Sequence, residues 1–339
     1  MSFRFRRPSL ILACFVLGFP GLRAAEKADP GSPLVKVAEY HMHLARRGAA
    51  VAALGDYLYI FGGYGGATIY QAERLNVVTG QVELLPAKFQ QRVFHSAVEH
   101  NGKFHLFGGW GRPRPAQPHE ETVEIYDPAT NEVTVAGKAP NPRAAAGMVK
   151  MGHQVLVVGG VRANKAGTYS QTNLAEIYDL NTGTWSDGPA MPTVRAAPAV
   201  AVGQFILVPG GYVSGTALKT VEIFVPSEQG WKKLPDLGVG VQSHSAAFLG
   251  QWVFLFGDQR ETDQMVAYEL KTRKTLRLKP GTAHMRYSAA ITHGDRIYVV
   301  GGAAADSFAN NGKLLFDNRV GGETDLIQVF ALNPDYQGK

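Results

Sequence analysis

The sequence predicts an all-β chain folded as a six-bladed β-propeller, four antiparallel strands to a blade, with the ring closed by the N-terminal strand. Three observations predict it. First, six apolar runs end in a glycine doublet or its remnant: Phe61-Gly62-Gly63, Phe107-Gly108-Gly109, Val158-Gly159-Gly160, Pro209-Gly210-Gly211, Phe256-Gly257-Asp258 and Val300-Gly301-Gly302. Their first glycines are 46, 51, 51, 47 and 44 residues apart, the period of a supersecondary unit that buries its core only against copies of itself. Second, no helix-length segment of 3.6-residue periodicity lies between them, and four short strands fit in each repeat. Third, the last repeat is one strand short and the N-terminus has one strand to spare.

Each repeat opens on a head: Arg47-Gly48-Ala49, Arg92-Val93-Phe94-His95, Arg143-Ala144-Ala145, Arg195-Ala196-Ala197 and Arg286-Tyr287-Ser288, with Gln242-Ser243-His244 in the fifth. A turn such as Gly55-Asp56, Asn101-Gly102 or Gly294-Asp295 separates head from doublet. These pairs favour hairpins because tight turns need positive φ. A third strand follows the doublet, as in Thr122-Val123-Glu124-Ile125-Tyr126 or Thr220-Val221-Glu222-Ile223-Phe224. After a polar turn comes a short fourth strand, with Trp185 or Trp231 in two repeats. Only nine residues follow Phe330, whereas Leu34–Tyr40 has no hairpin of its own. That N-terminal strand is expected to complete the last blade, removing an exposed sheet edge.

Arginine head, apolar strand, Gly-Gly, a Glu-x-aromatic strand and a later tryptophan together resemble the kelch-repeat family, from about Leu34 to Asn333. The resemblance implies a kelch-type propeller whose loops after the doublets converge on one face. The family hosts binding modules and also enzymes, among them galactose oxidase and exported bacterial proteins that interconvert sialic acid anomers or epimers. A copper site of the first kind needs a cysteine cross-linked to tyrosine, and the only cysteine is Cys14, outside the repeats.

The domain reading is residues 1–25 a signal peptide, 26–33 a linker, 34–334 the propeller and 335–339 a tail. Arg4, Arg6 and Arg7 precede the apolar stretch Leu10–Phe19, and small residues follow at Ala24 and Ala25. The pattern is that of an export signal, too short to span a membrane. Arg6-Arg7 is followed by Pro8, a poor twin-arginine match. Ile11-Leu12-Ala13-Cys14 resembles a lipoprotein box with few apolar residues before it, so cleavage near Ala24 or Ala25 is expected instead of anchoring. The protein is expected in the periplasm or secreted. The first 25 residues carry four arginines and no acid, so the formal charge of +6 falls to +2 without them. No basic block remains, and nucleic acid is not an expected partner.

Glu73, Glu124, Glu176 and Glu222 recur at one strand position, which points to structure rather than acid–base chemistry. They are expected to pair with the head arginines, and the fifth blade, with Gln242 and Val266, lacks both partners. His95 and His244 each lie thirteen residues before their glycine mark, and packing or hydrogen bonding is their expected role. His41 and His43 share one face of an extended strand, with only Glu39 near, and read as a strand end. No metal or cofactor is expected.

Function is sought in what does not repeat. Aromatic faces beside guanidinium groups suit sugars or acidic groups, and the loops offer Tyr64, Trp110, Arg112, Arg114, Arg162, Tyr212, Arg260 and Arg319 as ligand-binding candidates. The first expectation is an exported module that binds a protein or glycan at this face. The alternative is a sugar-processing enzyme of the sialic acid epimerase or mutarotase type, which the resemblance alone supplies.

Overall fold

The computed structural model describes residues 29–111, 119–163, 168–279, 283–304 and 322–338. Strand β1 (Leu34–His41) lies outermost in the last blade. The first blade is β2 (Ala50–Leu54), β3 (Tyr57–Phe61), β4 (Ala72–Asn76) and β5 (Val82–Leu84); the second is β6 (Ser96–His100), β7 (Lys103–Phe107), β8 (Thr122–Asp127) and β9 (Glu132–Lys138). In the third, β10 (Gly147–Met151) and β11 (Gln154–Val158) are followed by a ribbon, β12 (Val161–Ala163) with β13 (Tyr169–Gln171), before β14 (Ala175–Asp179) and β15 (Trp185–Gly188). The fourth has β16 (Val200–Val202) and β17 (Phe205–Pro209), the ribbon β18 (Tyr212–Val213) with β19 (Thr216–Ala217), then β20 (Val221–Val225) and β21 (Gly230–Leu234). The fifth is β22 (Ser245–Leu249), β23 (Trp252–Phe256), β24 (Met265–Glu269) and β25 (Thr275–Arg277); the sixth is β26 (Ala289–His293), β27 (Arg296–Val300), β28 (Leu326–Leu332) and β1.

Closure is as the sequence predicts. Strand β1 pairs antiparallel with β28, from Leu34 opposite Leu332 to His41 opposite Leu326. The innermost strands β2, β6, β10, β16, β22 and β26 contact one another in a complete circle. Side chains of neighbouring sheets interdigitate between blades; Tyr59 and Phe61 of the first meet Phe104 and Tyr126 of the second. Trp231 spans the fourth and third blades, its indole donating to the Pro189 carbonyl at 2.7 Å. His41 and His43 are exposed at the end of β1 and bind different partners, Asp325 and the Val82 carbonyl.

The doublets are the joints between blades. The first glycine has positive φ, and a Cβ there would sit 2.2–2.9 Å from a main-chain oxygen of the next blade, such as Arg195 O at 2.5 Å from Gly159. No side chain fits. The second glycine donates its amide to a head carbonyl of the next blade: Gly63 to Arg92, Gly109 to Arg143, Gly160 to Arg195, Gly211 to Val241 and, across the closure, Gly302 to Arg46, at 2.9–3.0 Å.

The same joints explain the arginines. Arg46, Arg92, Arg143 and Arg195 form buried ion pairs with Glu73, Glu124, Glu176 and Glu222. Three of the guanidiniums also donate to the carbonyl of the first glycine of their own doublet: Arg46 to Gly62 at 2.9 Å, Arg92 to Gly108 and Arg195 to Gly210, both at 3.0 Å. Arg143 reaches the Val157 carbonyl instead. Further donors satisfy the carboxylates, including the His43 and Leu44 amides at Glu73 and Thr193 at Glu222. A buried pair persists only with such additional bonds.

Three assignments are corrected. In the first blade the paired arginine is Arg46, and Arg47 turns toward the ring mouth. In the fifth blade Val241, whose carbonyl accepts the Gly211 amide, occupies the arginine position and Gln242 sits one residue on. In the sixth, Met285 occupies the arginine position and Gln328 the glutamate position, while Arg286 sits one residue on. Two blades therefore lack the pair.

Candidate ligand-binding mouth

A cavity of about 800 Å³ opens where the heads and the residues after the doublets meet, and continues between the innermost strands. Its size suits a small ligand or a segment of a larger one. The local architecture repeats. The residue after each doublet bridges back to a head residue: Tyr64 to Arg47, Trp110 to Val93, Val161 to Ala144, Tyr212 to Ala196 and Ala303 to Arg286. The non-repeating side chains of that ladder form the rim.

Tyr64, Trp110 and Tyr212, all expected from sequence, line the cavity. The Arg47 guanidinium lies 4.8 Å from the centre of the Tyr64 ring and pairs with Glu323 at 2.8 Å, both side chains almost fully buried. Trp110 stacks on His119 at 4.2 Å between ring centres and meets Tyr169 edge-on at 4.8 Å. Burial pushes the Tyr212 hydroxyl up to about 12, and a bond from Gln171 opposes the shift.

Arg162 and Arg260 do not line the cavity. Side chains alternate along a strand; Val161 of β12 faces the cavity, which leaves Arg162 opposite Ser170 on the other side of the ribbon. Arg260 is exposed, two residues past Asp258, whose carboxylate accepts its amide at 2.9 Å. Arg112, Arg114 and Arg319 lie outside the described residues.

Sequence reasoning missed the inner ring. Five heads hold a residue of positive φ: Gly48, Phe94, Ala145, Ser243 and Tyr287. Only Gly48 announces this by residue type. Tyr287 donates to the Gln259 side chain at 3.0 Å, which also accepts from Ser243 at 2.8 Å, and its ring meets Phe94 edge-on at 4.9 Å. Below them, His95 and His244 line the same cavity. Burial brings His244 down to about 4, and its Nε2–H donates to the Pro209 carbonyl at 3.2 Å. Burial, then the Arg92 and Arg46 charges, drive His95 well below the ordinary histidine value. Among the described residues, no group of three His, Cys, Asp or Glu side chains could hold a metal, and no helix is long and apolar enough to cross a membrane.

A closed propeller whose unlike residues after the doublets surround an axial cavity defines a repeat protein with an open mouth. Residues 48–258, well over half of the chain, match the profile of the KLHDC2/KLHL20/DRC7 kelch-repeats domain, and the chain belongs to the kelch-repeat family. It is similar to Kelch-like protein 25 of Xenopus tropicalis, 24% identical over 63% of this chain and 36% of that protein. It also resembles human Kelch-like protein 15, 30% identical over 36% of this chain and 20% of that one, and Kelch-like protein terF of Aspergillus terreus, 25% identical over 51% and 44%. The matches thus span under half of the relatives' own length. The solved structure of YjhT superposes with a TM-score of 0.70 at 17% identity, covering 85% of this chain and 95% of that one, which supports the fold alone.

Proposed function

We propose that this protein is an exported kelch module that binds a protein or glycan ligand in its mouth and performs no chemistry on it. The observation that carries the reading is the axial cavity with Tyr64, Trp110 and Tyr212 on its rim. Such faces stack on sugars or pack against side chains. The strand glutamates, the repeated acid–base groups of the blades, are committed to structural ion pairs and do not line the cavity. Export rests on the basic and apolar leader, with release to the periplasm or exterior.

One observation favours the sugar-isomerising alternative: Glu323 is a carboxylate without counterparts among the described residues of the other blades, paired with Arg47, which lines the cavity. An acid–base step needs a carboxylate free to exchange a proton, whereas this one is engaged by a guanidinium. The test exposes the purified mature chain to arrayed glycans and capped peptides, and follows the anomer exchange of reducing sugars, sialic acid included, by NMR. Saturable binding without accelerated exchange supports the module. Exchange accelerated by the protein and abolished in Arg47→Ala establishes the enzyme instead.

A further inference from the structure

The five left-handed head residues are joined head to tail by main-chain hydrogen bonds. Tyr287 donates to the Ser243 carbonyl, Gly48 to Tyr287, Phe94 to Gly48 and Ala145 to Phe94, at 2.7–2.9 Å. The result is a belt around the cavity wall, running from the fifth blade through the sixth, first and second to the third. It stops at the fourth.

The reason is one missing residue. The head arginine precedes the first glycine by 16 positions in blades one to three (46 and 62, 92 and 108, 143 and 159) and by 15 in blade four (195 and 210). Blade four has no positive-φ residue in its head, and Pro198 holds Ala197 away from helical conformations. At the two ends of the gap, the Ala145 carbonyl and the Ser243 amide have no hydrogen-bond partner among the described residues. Both residues line the cavity and are part-exposed to it.

Each belt residue donates its N–H to one neighbour and offers its own C=O to the next. The missing member is therefore the N–H and C=O of a single residue, the donor to Ala145 and the acceptor from Ser243. An extended peptide presents those two groups of one residue along the same edge. We infer that the gap at the fourth blade is a subsite for one residue of an extended peptide, which completes the belt through its main chain. The inference rests on the mouth-binding reading and selects the peptide over the glycan.

The experiment uses the mature protein and arrayed capped octapeptides, with a glycan array in parallel. The tightest-binding peptide is then resynthesised with one N-methyl group at each position in turn. The expected result is one position where methylation weakens binding about tenfold or more, the loss of one well-placed main-chain bond in a desolvated site. The Ser243 amide is expected to become protected from hydrogen exchange by about tenfold or more when that peptide is bound. Glycan binding without peptide binding overturns the inference and leaves the mouth reading standing. Peptide binding that tolerates methylation everywhere, or leaves Ser243 unprotected, also overturns the inference alone. Binding of neither class overturns both.

Discussion

The Asp258 carboxylate accepts the main-chain amide of Gln242 at 3.0 Å. In the other blades a main-chain ladder joins the head to the residue after the doublet. Blade five has aspartate where the second glycine belongs, and the carboxylate takes over the role of the ladder's acceptor. Its other oxygen holds the Arg260 amide. The imperfect doublet is thus a substitute joint.

Removal of that joint in Asp258→Ala leaves two amides without acceptors and is expected to cost about 1–3 kcal/mol. Asp258→Asn keeps one acceptor oxygen and is expected to lose less. Urea denaturation of both variants checks the order, and equal stabilities of Asp258→Ala and the natural chain would contradict it.

The buried ion pairs are expected to behave as units. Arg195→Met leaves the Glu222 carboxylate buried without its cation, at a cost of about 3–5 kcal/mol. Adding Glu222→Val is expected to restore part of that loss, because the fifth blade already holds buried Val241 and Val266 at these positions. A double variant as unstable as the single one would show that the arginine's bonds to carbonyls, rather than its charge pairing, dominate.

Glycine is required at the joints more than at the hairpin turns. Gly152 and Gly159 have φ of +62° and +64°, but a Cβ at Gly152 meets open space and one at Gly159 meets Arg195 O at 2.5 Å. Gly152→Ala is expected to cost about 1 kcal/mol from backbone strain alone. Gly159→Ala must also push two blades apart and is expected to cost several-fold more. Thermal unfolding of the two proteins compares them directly.

The number of blades and the closure were legible because glycine doublets, hairpin turns and an unpaired N-terminal strand are each local signals. The identity of the paired arginine was not. Arg46 and Arg47 are adjacent, and only the ladder geometry decides which turns inward. In the sixth blade Arg286 stands 15 residues before Gly301, the same interval as Arg195 before Gly210. Spacing cannot separate a true pairing arginine from one displaced by a residue. At the mouth, Tyr64, Trp110 and Tyr212 were legible as residues directly after doublets. The belt was not, because four of its five members carry a Cβ and give no composition cue to positive φ.

Acid sensitivity follows from the buried histidines. The unfolded chain protonates histidine near pH 6.5, while folded His244 takes its proton only at about 4 and His95 is shifted the same way. Between those values the unfolded state binds more protons, so stability rises with pH across the window. This contribution is complete above about pH 6.5 and lost as the pH falls toward about 4, roughly 3 kcal/mol for His244. The difference in urea midpoint between about pH 7.5 and about pH 5 is expected to be smaller in His244→Gln than in the natural chain. An unchanged difference would contradict the assignment.

On the proposed function, ligand binds in the mouth through its non-repeating rim. Its most direct test is the equilibrium affinity of the tightest arrayed peptide or glycan for the natural chain, Trp110→Ala, Tyr212→Ala and, as a control on the exposed outer strand, Lys138→Ala. Both rim variants, folded by circular dichroism, are expected to lose about tenfold or more in affinity, and the control is expected to be unchanged. Undiminished binding to both rim variants would contradict it.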